Sequence, residues 1–83
     1  NLVDNVNEKY DLVVSNILVD VLIELLDNIE KILEDESTLI FSGILNEKEE
    51  FFIEKAKKYN LEQIDRNEKN KWVSLVFKYK KSN

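Results

Sequence analysis

The sequence contains no cysteine, histidine, proline or methionine, and Gly43 is the only glycine among its 83 residues. Without cysteine there is no disulfide, thiolate nucleophile or thiolate metal site. Without histidine the commonest general base and the commonest metal ligand are both missing. Carboxylates remain, but most fall at solvated helix positions and not in a ligand cluster, so no metal site is expected. A Ser-His hydrolase is excluded on the same grounds. No apolar run reaches the ~18 residues of a spanning helix, and no leader with a basic start and an apolar core is present. The expected compartment is therefore cytoplasmic, with no membrane partner. Positive charge is in deficit, with 12 Lys and Arg against 17 Asp and Glu and a formal net charge of −5. That balance argues against direct binding of nucleic acid. The one basic cluster, Lys78, Lys80 and Lys81, reads as a solvated end. The missing methionine, the start at Asn1 and the scarcity of turn formers read as a piece of a longer chain. A chain of this size forms one small domain with a modest core. Residues 1–83 are thus expected to make a single, partial α/β domain.

What is present is organised around Tyr10 to Leu18, Tyr-Asp-Leu-Val-Val-Ser-Asn-Ile-Leu. Three successive apolar residues, Leu12, Val13 and Val14, suit a strand buried on both faces, as in a parallel sheet. The strand is expected over Tyr10 to Ser15. A side chain leaving its carboxyl end sits where open α/β sheets bind ligands. Asn16 is therefore the first candidate binding residue, although an asparagine there also suits the N-cap of the following helix.

Val19 to Leu33 carries Leu22, Leu25, Leu26, Ile29, Ile32 and Leu33 at three- and four-residue steps, which predicts an amphipathic helix lying on a sheet. Its polar face is acidic, unlike that of a membrane-surface helix. Thr38 to Ser42 predicts a second strand ending at Gly43. There the glycine supplies either a backbone angle closed to other residues or a close approach. Asn46 to Tyr59 predicts a second helix, with Asn46 as N-cap and Glu49 completing a capping box. Its acidic start and basic end complement the helix dipole. Leu61 to Arg66 is a weaker strand, Asn67 to Asn70 a hairpin connection, and Trp72 to Tyr79 the last strand. That last strand has large apolar groups on both faces, as an interior strand does. The order is strand, helix, strand, helix, strand, strand, mostly parallel, with an antiparallel final strand.

Asp11-Leu-Val-Val-Ser-Asn-Ile-Leu18 and Leu39-Ile-Phe-Ser-Gly-Ile-Leu45, with Trp72-Val73-Ser74-Leu75 near the end, resemble the C-terminal half of the methyltransferases that modify ribosomal protein L11. The resemblance runs from about Leu2 to Lys80. It implies a Rossmann-like, S-adenosylmethionine-dependent class I sheet in which the last strand inserts between its two predecessors. It also implies that Asn16 binds S-adenosylmethionine. A neutral amide can hydrogen-bond the cofactor or an incoming amine without holding that amine protonated. The implied activity is methylation of amino groups on ribosomal protein L11, the substrate partner, and the resemblance assigns no catalytic acid or base. Methyl transfer from a sulfonium asks mainly for positioning. The chain departs from the family in the turn Glu34 to Ser37, where Pro and Gly are usual, and it has no Gly-rich loop after a strand. The resemblance therefore puts the main cofactor loop and the acidic ribose-binding residue upstream of Asn1, and implies that the 83 residues are inactive alone.

Two other functions compete. Methyltransferases acting on a nucleobase or a glutamine amide carry Asn-Pro-Pro-aromatic at this strand end, whereas Ile17, Leu18 and Val19 follow Asn16 here. A non-catalytic α/β module that self-associates is the other, because the first strand would expose an open edge.

Overall fold

The computed structural model describes residues 11–15 and 18–81. Its elements are β1 (Leu12–Ser15), α1 (Val19–Ile29), a 3-10 turn (Glu30–Ile32), β2 (Thr38–Leu45), a second 3-10 turn (Asn46–Lys48), α2 (Glu49–Lys57), β3 (Leu61–Lys69) and β4 (Trp72–Tyr79). The four strands form one sheet in the order β1-β2-β4-β3. β1 and β2 are parallel, and β4 runs antiparallel to both β2 and β3. The last strand in sequence thus lies between its two predecessors, as the mixed α/β expectation required.

β4 is central because both of its faces can be buried. Val73, Leu75, Phe77 and Tyr79 enter the main core, while Val76 joins Ile40 and Val13 in a small cluster on the opposite face. The main core lies between the sheet and the two helices. Val19, Leu22 and Leu26 of α1 and Phe52 and Ala56 of α2 meet Val14, Leu39, Phe41 and Ile44 there. Phe41, Phe52 and Phe77 pack edge to face around one point, with centroids 5.2, 5.9 and 6.0 Å apart, the geometry aromatic quadrupoles prefer.

The differences from the sequence expectation are local and have physical causes. β2 does not stop at Gly43 but continues to Leu45, with a bulge between Phe41 and Ile44. Gly43 has φ 77°, a region costly for any residue with a Cβ. The extra residue lets Phe41 and Ile44 both face the core, although they are three positions apart. α1 ends four residues early, at Ile29, and tightens into the 3-10 turn. It has no basic residue in its last turn to complement the dipole. Its N-cap position falls on Leu18, with no side-chain cap, and the cap expected at Asn16 lies outside the described residues. The expected capping box at Asn46 is not formed. A 3-10 turn occupies Asn46–Lys48, and the Asn46 side chain donates to Glu68 Oε2 at 3.0 Å. β3 and β4 extend to a two-residue connection, Asn70-Lys71, with Asn70 at φ 59°.

The basic end is engaged in structure. Lys78 Nζ donates to Thr38 Oγ1 at 2.7 Å, Lys80 Nζ pairs with Glu36 at 2.8 Å, and the Lys81 backbone N–H donates to Asp35 Oδ1 at 2.8 Å. Among the described residues no helix is long and apolar enough to cross a membrane.

Candidate functional site

The carboxyl ends of β1 and β2 open onto a cleft of ≈ 320 Å³. The chain leaving β1 supplies Leu18, Val19 and Asp20, and the end of β2 supplies Gly43, Ile44 and Leu45. The turn into α2 adds Lys48, α2 itself adds Phe51, and the start of β4 adds Trp72. Topology explains the meeting. Two parallel strands send both following segments over the same edge, and antiparallel β4 begins at that edge, with Trp72 paired to Leu45. This is the edge at which open α/β sheets bind ligands.

The walls are apolar and wet. Leu18 is 77% exposed, Phe51 48% and Trp72 49%, in a protein whose other aromatic rings are mostly in the core. Large apolar groups clustered around one opening mark a binding surface more often than chance exposure. Asp20 and Lys48 place one charge of each sign on the rim. Lys55 Nζ lies 5.5 Å from the centroid of the Phe51 ring, a cation–π contact that leaves the rest of that ring to the cleft. The described lining thus fits an apolar or aromatic ligand part with a charged neighbour.

The segment entering α2 is tied to the β3–β4 hairpin and not capped by its own side chains. The Asn46 N–H donates to the Lys71 carbonyl at 2.9 Å. Arg66 on β3 grips Glu49 in a fork: Nη2 donates to Oε1 at 2.8 Å and Nε donates to Oε2. The same Nη2 donates to Glu68 Oε1 at 2.7 Å. The hydrogen bond from Arg66, followed by that from Asn46, lowers the Glu68 carboxyl below its ordinary value. Glu49, then Glu68, raise the Arg66 guanidinium above its own. At the other end of α2, Tyr59 Oη donates to Asp27 Oδ1 at 2.5 Å, and this bond raises the phenol pKa.

Asn16, the candidate read from the sequence, lies outside the described residues, as does Ile17. The nearest described residues along the chain are Ser15, the last residue of β1, and Leu18, which lines the cleft. Gly43 has the positive φ that one of its two expected roles requires, and it also lines the cleft. Sequence reasoning missed Phe51 and Trp72 as cleft residues. The signal was the pairing of each with a buried neighbour, since Phe52 and Val73 fill the core and so turn the adjacent rings outward. Among the described residues no three carboxylates converge on a point that would hold a metal ion.

The sequence matches the family described as Ribosomal protein L11 methyltransferase (PrmA) over residues 1–80. A ribosomal protein L11 methyltransferase of Fusobacterium nucleatum subsp. nucleatum is 42% identical over 74 residues, covering 89% of this chain and 24% of that protein. One from Thermotoga neapolitana is 40% identical over 78 residues, covering 94% of this chain and 30% of that protein. The chain therefore spans about a quarter to a third of the length of these relatives. The crystal structure of a ribosomal protein L11 methylase from Lactobacillus delbrueckii subsp. bulgaricus superposes with a TM-score of 0.75 at 24% identity, over 86% of this chain and 37% of that one. That superposition shows the shared fold, and the match over residues 1–80 establishes that the chain belongs to the ribosomal protein L11 methyltransferase family.

Proposed function

We propose that this chain supplies one wall of the active cleft of an S-adenosylmethionine-dependent methyltransferase whose substrate is ribosomal protein L11. The family match over residues 1–80 carries the reading, and the cleft at the carboxyl ends of β1 and β2 supports it. S-adenosylmethionine supplies an electrophilic methyl group when bound. The work left to this chain is to bind and orient. Asn16, which follows Ser15 in the sequence, is proposed to offer a neutral amide to the cofactor or to the incoming amine. Leu18, Phe51 and Trp72 give an apolar wall along which the aliphatic stem of a substrate side chain lies. Removing water from that wall strengthens any polar contact made beside it.

Residues 1–83 are read as one part of a larger domain, cytoplasmic and dependent on a partner segment for most cofactor contacts. Two features support this. The only glycine is committed to the β2 bulge, so no Gly-rich loop is available to approach the cofactor. Both described helices contribute to the core on one sheet face, while the other face carries the Val13, Ile40 and Val76 cluster.

Calorimetric titration with S-adenosylmethionine tests this reading. Two samples are compared: the 83-residue chain, and a chimera in which it replaces the matched stretch of the Fusobacterium nucleatum relative. The chain alone is expected to give no saturable heat, and the chimera is expected to bind. Saturable binding by the chain alone would overturn the dependence on a partner segment. Silence from a folded chimera would overturn the cofactor assignment.

Self-association has one observation in its favour. β3, at one edge of the sheet, is defended by a bulge between Gln63 and Asp65 and by exposed charges from Glu62 to Lys69. β1, at the other edge, reads Leu-Val-Val-Ser and has no such defence. Among the described residues it has no partner strand on its outer side. Sedimentation over a range of concentrations distinguishes a monomer from a chain that pairs through this edge.

A further inference from the structure

We propose that Arg66 is a positioning residue for the cleft: from β3 it holds the first turn of α2 through Glu49, and so sets where Lys48 and Phe51 stand opposite Trp72. The inference deepens the reading above and rests on that cleft being the functional one.

The wall formed by Lys48 and Phe51 is not held by its own burial. Phe51 is half-exposed, and neither the 3-10 turn nor α2 has a side-chain cap. A helix start without caps leaves backbone donors to water and frays. Phe52 fixes the depth of α2 on the sheet, because it is wholly buried against Phe41 and Phe77. Ala56 is also buried and Ile53 packs against the same core, but all three lie after the turn Asn46–Lys48 and Phe51, so they anchor the body of α2 and leave its start to other ties. Those ties run to the hairpin. They are the Asn46 N–H to Lys71, the Asn46 side chain to Glu68, and the fork from Arg66 to Glu49. Arg66 joins the last two, since its Nη2 reaches both Glu49 and Glu68.

An ordinary surface ion pair would not carry this role, because such pairs contribute little. This one differs in geometry. It is bidentate, it belongs to a network, and the Glu49 side chain is only 13% exposed against 40% for Arg66. The acceptor is therefore shielded while the guanidinium remains in contact with solvent. Nor is Arg66 available to an external anion, since three carboxylate oxygens already engage it.

Trp72 is the only tryptophan in the chain and lines the cleft, so its fluorescence reports on the cleft without cofactor or substrate. The test compares emission maximum and acrylamide quenching in Arg66→Ala, Glu49→Ala and the double variant, with far-UV circular dichroism confirming the fold. Both single variants are expected to red-shift Trp72 and raise its quenching. The double variant should add nothing further, and Arg66→Lys should restore part of the wild-type signal. An unchanged Trp72 in folded Arg66→Ala overturns the proposal, as does full additivity in the double variant. If Arg66→Ala loses the fold, Arg66→Lys and Glu49→Gln are read instead, and wild-type emission in both overturns it. Failure here leaves the cofactor titration unaffected, so the two readings fail separately.

Discussion

Replacing Phe52 by Ala should be among the most damaging single changes in this protein. The side chain is 0% exposed and stands between two other buried rings, 5.2 Å from Phe41 and 6.0 Å from Phe77. It is also the main apolar contact by which α2 reaches the sheet, since Ala56 is small. Truncating a buried Phe costs about 3–5 kcal/mol through lost transfer energy and the cavity left behind. Edge-to-face partners place this site in the upper part of that range, because each such pair contributes ~0.5–1.5 kcal/mol beyond area. A domain of this size has a total stability of roughly 4–12 kcal/mol. The variant should therefore lose a third or more of it, and its melting temperature should fall by roughly 12 °C or more. Urea titrations followed by Trp72 fluorescence and far-UV circular dichroism measure the effect. Phe51→Ala is the internal control. It removes the same atoms one residue earlier from a half-exposed position, and should change stability by no more than about 0.5 kcal/mol. Equal costs at the two positions, or a loss below about 1 kcal/mol at Phe52, would refute the account of how α2 is attached.

Gly43→Ala should destabilise by about 1–2 kcal/mol, because an L-residue resists the left-handed backbone that the bulge requires at φ 77°; a shift in the urea midpoint reads it. On the alkaline side, Tyr59 is raised above its ordinary 10.0 by Asp27, and Lys80 above its ordinary 10.5 by Glu36. The stability these groups contribute is fully present below those ordinary values and is lost as pH rises through the higher folded ones. Tyr59→Phe should therefore flatten the fall in stability above pH 10.0, as denaturant titrations at a series of pH values would show. Glu68 has the opposite sign. Its folded pKa is lowered by Arg66, so its contribution is present above the ordinary 4.5 and lost as pH falls below it. Glu68→Gln should weaken the acid dependence of stability in the same assay.

Much of the architecture was legible because hydrophobic patterning is local. The apolar run Leu12-Val13-Val14 announced a parallel strand, and the two-faced pattern of Trp72 to Tyr79 announced an interior one. The misreadings arose where long-range partners outcompeted local rules. Asn46 has the type and spacing of a cap, but the Glu68 carboxylate of β3 takes its side chain instead. Gly43 looked like the end of a strand, but the pairing of Ile44 with Val73 and Leu45 with Trp72 carries β2 past it. β3 was underestimated because only Leu61 is buried and, apart from the exposed Ile64, the rest of the strand is polar. Its place is secured by backbone pairing with β4, which no side-chain pattern announces. The cleft was half legible. The strand end at Ser15 pointed to the edge of the sheet where the cleft lies. The far wall depends on an antiparallel β4 returning Trp72 to that edge, a consequence of topology and not of any motif. Asn16 lies outside the described residues, so its role rests on the proposal.

The central claim is best tested by methyl transfer. The chimera with the Fusobacterium nucleatum relative would be incubated with labelled S-adenosylmethionine and ribosomal protein L11, with and without Asn16→Ala. The account predicts transfer of label to L11 by the chimera. It predicts a loss of roughly fivefold with Asn16→Ala, as one neutral hydrogen bond of ~1 kcal/mol implies. A folded, cofactor-binding chimera that leaves L11 unlabelled, or that labels it equally well without the Asn16 amide, would contradict the account.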